Sequence, residues 1–479
     1  MVILEALHNH AQHIPAKVAL IEGSREVTYA ALWDNIVRAA NYFSGIAERG
    51  SKVMLSADKS VDFVFAYFGA HLGGMTTIPV DPSVNELRLQ RILDSATPVG
   101  IWGKLHAGSA GREVKPFPVL DNADALTHDY VMPSEYDVAD ILFTTGTTGL
   151  PKGVMLTQRN ELASAVNINH FIGNTSNDIE LLALPISHSF GLGRLRCMLL
   201  QGATIDLLGS FASMKKFFRE MDDRAITGFG MVPASWSYIH KMSGERLGNY
   251  AAQLKYIEIG SAPMSMADKH LLMELLPRTR ICMHYGLTEA SRSAFICFGE
   301  SMDHLDSIGR PTPGVEIKIF AEDGSEVACG SEGELCVKGD NVCSAYWGDA
   351  AEEYAASFFC GYFRTGDWGY QDSEGYFHLI SRKKELINVG GKKLSPLEVE
   401  EVIDAMEGVS ESACVGVKDD VMGEVVKAFV VRTSESVTSD DVIATVRSKL
   451  EGYKVPASVK FVDNLPKTAS GKLQRLLLK

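Results

Sequence analysis

Ile141-Leu142-Phe143-Thr144-Thr145-Gly146-Thr147-Thr148-Gly149-Leu150-Pro151-Lys152-Gly153 reads as a short apolar strand running into a turn rich in hydroxyls and glycine. Glycines let successive backbone N–H groups converge on one anion. The four threonine hydroxyls add donors and Lys152 adds a positive charge. A polyphosphate suits such a turn. The G-x-x-x-x-G-K-[ST] spacing fails, and Pro151 stands where that motif would go on to open a helix. An ordinary polar surface turn does not call for this density of threonine and glycine beside a lysine.

Outward from this strand, further short apolar runs appear at Val53–Ser56, Thr76–Pro79, Leu181–Leu184 and Ile257–Ile259, with helical patterns between several of them. Alternation of this kind predicts an α/β fold with mainly parallel sheets. Val315–Phe320, Glu322-Asp323-Gly324 and Gly333–Lys338 read as strand, turn and strand, a small β-rich subdomain closing the large domain. From Lys384 the pattern changes. Ser395-Pro396-Leu397-Glu398 predicts a helix start, with Ser395 as N-cap, Pro396 at N1 and Glu398 reaching back. Ala413–Val417 and Val425–Val431 read as strands, followed by a helix with Val442, Ile443, Val446 and Leu450 on one face. The expected organisation is a large multi-subdomain N-terminal domain, residues 1–383, and a small mobile α+β C-terminal domain, residues 384–479.

A chain of 479 residues exceeds what one hydrophobic core supports. Lys plus Arg number 46 against 60 Asp plus Glu, a net charge of −14 that argues against nucleic-acid and anionic-membrane partners. It leaves room for an anion held locally by lysine and backbone N–H groups. The eight cysteines form no C-x-x-C pair, and no histidines accompany them at metal-site spacing; reduced structural thiols in a cytoplasmic protein are expected. Met1–Leu20 lacks the apolar core of a signal peptide. The apolar window Val61–Val80 carries Asp62, His71 and three glycines, so it reads as a buried helix and strand and no membrane span is expected.

The decapeptide Thr144–Gly153 resembles the phosphate loop of the adenylate-forming superfamily of acyl- and aryl-CoA synthetases, nonribosomal adenylation domains and luciferases. Four further segments resemble that family's motifs in the same order: His284-Tyr285-Gly286-Leu287-Thr288-Glu289, Tyr362-Phe363-Arg364-Thr365-Gly366-Asp367, Ser381-Arg382-Lys383-Lys384-Glu385-Leu386-Ile387 and Pro466-Lys467-Thr468-Ala469-Ser470-Gly471-Lys472. The resemblance implies an ATP-dependent carboxylic acid:CoA ligase, an acid–thiol ligase that forms an acyl-adenylate with release of pyrophosphate and then a thioester with release of AMP. ATP, Mg2+ and coenzyme A are the implied cofactors, with a carrier-protein phosphopantetheine as the alternative thiol and a luciferase-like oxygenase as the remote alternative.

By the same resemblance Glu289 binds the metal, Thr288 touches the α-phosphate and Lys472 bridges the incoming carboxylate and the α-phosphate. Thr144, Thr145, Gly146, Thr147, Thr148, Gly149 and Lys152 would hold the phosphates, and Tyr285 would face adenine beside His284 and Gly286. Gly260, Ser261 and Ala262 resemble the opposite wall. Asp367 would accept the ribose hydroxyls, Arg382 would hold the ribose and α-phosphate side, Lys384 matches the hinge and Gly391 the pantetheine tunnel. His188 resembles an aromatic position near the acyl carboxylate, although a lone histidine is more often structural. Phe190, Gly191, Phe229, Gly230 and Met231 are candidate walls of the acyl pocket. Ser189 and Phe190 stand where amino-acid-activating relatives often carry an aspartate, so the expected partner is a small carboxylic acid without an α-amino group.

Overall fold

The computed structural model describes residues 2–106, 109–118, 130–145, 151–467 and 473–478. They divide into two compact units, residues 1–317 with 337–363, and residues 318–336 with 364–479.

In the first unit a nine-stranded sheet has at its centre the parallel strands Arg280–Tyr285, Tyr256–Ile259, Gly228–Met231, Ile179–Leu182, Thr204–Leu207 and Val18–Glu22. Antiparallel strands close its two sides: Ala294–Cys297 then Arg310–Pro311 at one, Arg25–Thr28 at the other. A seven-stranded sheet runs Ala345–Tyr346, Pro151–Thr157, Val138–Thr145, Thr76–Val80, Lys52–Ser56, Ile101–Trp102, Val114–Lys115. Parallel strands need crossover segments, and the helices supply them. Helix Val61–Leu72 joins Lys52–Ser56 to Thr76–Val80; Ser60 caps it by accepting from Phe63 N at 3.1 Å. It is buried along nearly its whole length, which is why its sequence shows no continuous polar face. Helix Gln158–Ile172 starts on a capping box between Thr157 and Asn160 and ends at Gly173 with φ of 76°. The apolar window Val61–Val80 is therefore a buried helix and strand, and among the described residues no helix is long and apolar enough to cross a membrane.

In the second unit, strand Phe377–Arg382 pairs antiparallel with Tyr362–Gln371, placing Arg382 opposite Asp367. A separate five-stranded sheet is ordered Lys392–Leu394, Ile387–Val389, Gly423–Arg432, Val409–Asp419, with Ser458–Phe461 parallel to Gly423–Arg432. Helices Pro396–Asp404 and Ser439–Lys449 bury Val399, Ile403, Val442 and Val446 in its core. Ser395 caps the first, accepting from Leu397 N at 3.2 Å, but Glu398 does not reach back: its carboxylate pairs with Lys454 Nζ at 2.5 Å. The compact units also cut the chain elsewhere than at Lys384. Residues Arg364 to Lys383 belong with the C-terminal segment because Glu334 holds Arg364 at 2.8 Å and Lys383 at 3.0 Å, while Ser395 Oγ donates to Ile380 O at 2.7 Å.

Candidate active site

The phosphate turn lies between two antiparallel strands, Val138–Thr145 and Pro151–Thr157, with Thr144 opposite Lys152 and Thr145 opposite Pro151. Residue 151 opens a strand, so the chain continues as a hairpin and not as the helix of a Walker loop. Gly146, Thr147, Thr148 and Gly149 lie outside the described residues. Thr144 Oγ1 donates to Lys152 O at 3.4 Å. The Lys152 ammonium pairs with Glu353 at 2.6 Å and stands 4.8 Å from the centre of the Tyr346 ring. The Tyr346 hydroxyl donates to Glu289 Oε1 at 3.3 Å. One phenol thus joins the phosphate-turn lysine to the glutamate of the 284–289 motif. Burial, reinforced by Glu289, pushes the Tyr346 phenol far above its ordinary value, so it stays a donor. Nothing in the sequence singles out Tyr346 or Glu353; Tyr346 arrives through strand Ala345–Tyr346, which pairs with Pro151–Thr157.

Neighbouring residues of a strand face opposite sides, and this separates residues that the sequence groups together. The motif groups His284 and Tyr285 as adenine contacts. His284 faces Gly260, so closely that a Cβ on Gly260 would stand 2.1 to 2.6 Å from its ring atoms, and its ring packs edge-on against Phe190 with centroids 4.6 Å apart. Tyr285, 8% exposed, is on the other side of the sheet. The sequence also groups Phe229 and Met231 with Phe190 as pocket walls. They point away from it, into the cluster containing Phe217, Trp236 and Ile259, while Gly230 faces Leu184, Arg194 and Phe190. The wall that these side chains share is therefore Leu184, Phe190, Gly230, Gly260 and His284. Gly191 is pressed against the Pro185 carbonyl and serves the helix start. His188 is exposed and is the N-terminal flanking residue of helix Ser189–Leu200, without a side-chain cap.

Beneath this wall sits a buried ion network that no motif announces. Arg194 bonds Glu180 and, at 3.0 Å, Glu258. Glu258 Oε1 lies 2.7 Å from His284 Nδ1 and 3.3 Å from Arg292 Nε. Arg292 donates to the carbonyls of Ser189 at 2.8 Å and Phe190 at 2.9 Å. Burial would raise the Glu258 carboxyl, but Arg292, His284 and Arg194 hold it well below the usual range. Burial and the Arg292 charge lower His284, leaving its ring neutral near pH 7. Two side chains here carry left-handed backbone, Ser261 with φ of 74° and Arg292 with φ of 54°. Such strain gathers at functional sites. Ala262 follows Ser261 in the turn after Tyr256–Ile259, while Gly286, Leu287, Thr288 and Glu289 lie in the connection between Arg280–Tyr285 and Ala294–Cys297.

In the second unit, Arg382 Nε meets Asp367 Oδ1 at 2.9 Å and its Nη1 donates to Thr365 O at 3.0 Å. The two expected nucleotide-binding residues are thus a pair, Asp367 being 2% exposed. Asp367→Asn is expected to raise the KM for ATP by roughly 10-fold or more, the weight of a hydrogen bond to a charged group. Pyrophosphate release at varied ATP measures it, and an unchanged KM would remove Asp367 from the ribose. Lys384 is exposed on the turn after Arg382. Gly391 has φ of 83° and open space around it, so in this unit the left-handed turn, and not a wall against a Cβ, calls for glycine. Its neighbour Gly390 donates to Met422 O at 2.8 Å, setting this turn beside the exposed Val421. Lys472 lies outside the described residues, but its flanks are anchored. Lys467 bridges Leu473 and pairs with Glu411, and Arg475 bonds Glu385 at 2.9 Å and Glu400.

Comparison with known proteins gives the family and the fold. The family described as AMP-binding enzyme matches residues 7–347, and the AMP-binding enzyme C-terminal domain matches residues 398–472. A feruloyl-CoA synthase from an Amycolatopsis species is 31% identical over 97% of this chain and 95% of its own length. An oxalate–CoA ligase from Arabidopsis thaliana is 32% identical over 98% and 97%. Among solved structures, the o-succinylbenzoate coenzyme A synthetase of Bacillus subtilis in complex with ATP and magnesium ion superposes with a TM-score of 0.89 at 27% identity, covering 99% of this chain and 98% of that one.

Proposed function

Because the chain belongs to the AMP-binding enzyme family, we propose that the residues of this site carry the two half reactions of an acid–thiol ligase. The protein is an ATP-dependent, AMP-forming acid:CoA ligase acting on a small carboxylic acid, with Mg2+ as its metal and coenzyme A as the acyl acceptor. The observation that carries the residue assignment is the Lys152–Tyr346–Glu289 arrangement. It sets the lysine of the phosphate turn beside a carboxylate from a segment far away in sequence.

The chemistry sets the demand. Two unit charges about 4 Å apart repel by about 4 kcal/mol at an effective dielectric near 20. A carboxylate approaching the α-phosphate of ATP meets that repulsion several times over. Lys152, Arg382 and Lys472 supply positive charge, and the threonine hydroxyls and backbone N–H groups of the turn supply donors. The Glu289 carboxylate is the hard oxygen ligand that Mg2+ prefers; it would hold the ion, which would supply charge to screen the polyphosphate. The acid's oxygen then forms its bond to the α-phosphorus as the bond to pyrophosphate breaks. In the second step a thiolate sulfur bonds the acyl carbon, and AMP leaves with the electron pair of the C–O bond. Asp367 accepts from the ribose hydroxyls through both steps.

The acid lacks an α-amino group, since no carboxylate stands at Ser189 or Phe190 to receive an ammonium, and its body lies against Leu184 and Phe190. The reaction takes place in the cytoplasm. Pyrophosphate and AMP release should be assayed over a panel of aryl, aliphatic and α-amino acids, with coenzyme A, with a phosphopantetheinylated carrier protein, and with neither. Aryl and aliphatic acids are expected to release pyrophosphate and to yield a CoA thioester. Thioester formation only on the carrier protein would shift the acceptor, and release of ADP in place of AMP would end the reading.

A further inference from the structure

Strands Arg280–Tyr285 and Ala294–Cys297 form a hairpin in which Cys282 is directly opposite Cys297. Their sulfurs are 2.7 Å apart, both thiols are buried and both are free. Opposed residues of an antiparallel pair have Cα atoms about 4.5 or 5.5 Å apart, and both values fall within the span that a disulfide bridges. The connection between the two strands is the segment carrying Gly286, Leu287, Thr288 and Glu289. We propose that Cys282 and Cys297 are a redox-active dithiol, which hydrogen peroxide converts to an intramolecular disulfide across the base of this hairpin.

The surroundings favour the chemistry. The hydrogen bond that the two sulfurs share, in which either can donate, and the Arg280 guanidinium lower the Cys297 thiol against the opposing effects of burial and Glu300. Cys297, 6% exposed against 0% for Cys282, is the sulfur a peroxide meets first, so it is the attacking thiolate and Cys282 the resolving thiol. Cys297 keeps a small exposed fraction at this end of the hairpin. The edge strand Arg310–Pro311 covers Ala294 and Phe295 but stops short of Cys297. Beside it the Arg280 and Glu300 side chains, 36% and 60% exposed, reach solvent.

The step balances. The Cys297 sulfur attacks one peroxide oxygen, the O–O bond breaks, and the departing hydroxide takes up the thiol proton as water. The resulting sulfenic acid is attacked by Cys282 sulfur; the S–O bond breaks, and its hydroxide leaves as water with the Cys282 proton. Two thiols are oxidised by two electrons and one peroxide is reduced to two waters. Because register and spacing are already set, the backbone need move little.

The test uses the full chain carrying Cys329→Ser and Cys360→Ser, which removes the two exposed thiols. Brief hydrogen peroxide treatment is expected to lower the thiol titre of the unfolded chain from six to four, starting from the eight natural cysteines less the two replaced. The intact mass should fall by two hydrogen atoms, and a tryptic map should join the peptides of Cys282 and Cys297. Dithiothreitol should reverse all three changes, and the oxidised protein should melt a few degrees higher than the reduced one. Adding Cys282→Ser should abolish the joined peptide and leave Cys297 to over-oxidise; should that variant fail to fold, the peptide map of the parent decides alone. Peroxide products confined to other cysteines, or sulfinic acid at Cys297 with Cys282 still free, would overturn the proposal.

Discussion

Lys472→Ala is expected to slow acyl-adenylate formation by roughly 10²–10³-fold, the usual loss when one preorganised donor to a transition state is removed. The carboxylate and the α-phosphate both gain from a cation between them only while the new O–P bond forms, so the loss falls on the chemical step more than on ATP binding. The second half reaction has no such encounter of anions. A preformed acyl-adenylate supplied to the variant should therefore still pass its acyl group to coenzyme A at a rate close to the natural enzyme's. The two flanks of the lysine segment are tied to the second unit through Lys467–Glu411 and through Arg475 with Glu385 and Glu400, none of which the substitution touches. The fold should stay intact. Pyrophosphate release for the first step and thioester formation for the second separate the outcomes. Adenylation at the natural rate would strip Lys472 of its role; equal loss in both steps would make it a general structural residue.

The legible part of the sequence is local. The phosphate turn, the 284–289 motif and the strand before Asp367 each declare themselves within about ten residues, because a phosphate-binding turn or a charged tight turn is built from neighbours. Helix Pro396–Asp404 is foreseeable for the same reason: Ser395 and Pro396 carry their own start signal. Glu398 departs from its expected cap because the competing partner, Lys454, lies 56 residues away. Phe229 and Met231 depart from the pocket because Gly-Phe-Gly-Met shows the period of a strand but not which face meets Phe190. Tyr346, the ion network and the Cys282–Cys297 pair are invisible in the sequence because each depends on which strands lie side by side, a property of sheet order and not of any motif. The same limit applies to Gly391, where φ explains the glycine and the sequence offers only a resemblance.

Arg194→Met is expected to destabilise the first unit by about 3–5 kcal/mol, the range found when one partner of a buried ion pair is removed. Arg194, Glu180, Glu258 and Arg292 are all buried to 1% exposure or less, so water cannot replace a lost partner. In the natural protein two carboxylates face two guanidinium groups while His284 stays neutral, and the charges close to zero. Removing Arg194 leaves Glu180 with the Tyr256 hydroxyl at 2.8 Å, and leaves Glu258 to Arg292 and His284. One carboxylate must then take up a proton or admit water, and Arg292 is drawn further toward Glu258. Arg292 also holds the carbonyls of Ser189 and Phe190, so the helix start behind the Phe190 wall shifts with it. The damage should thus appear twice, as unfolding at lower denaturant and as a weaker KM for the acid. The double variant Arg194→Met/Glu180→Met removes the stranded carboxylate as well and should regain a substantial part of the stability. If the single variant unfolds with the natural enzyme, or if the double variant is worse by the sum of two independent losses, the network is not one electrostatic unit.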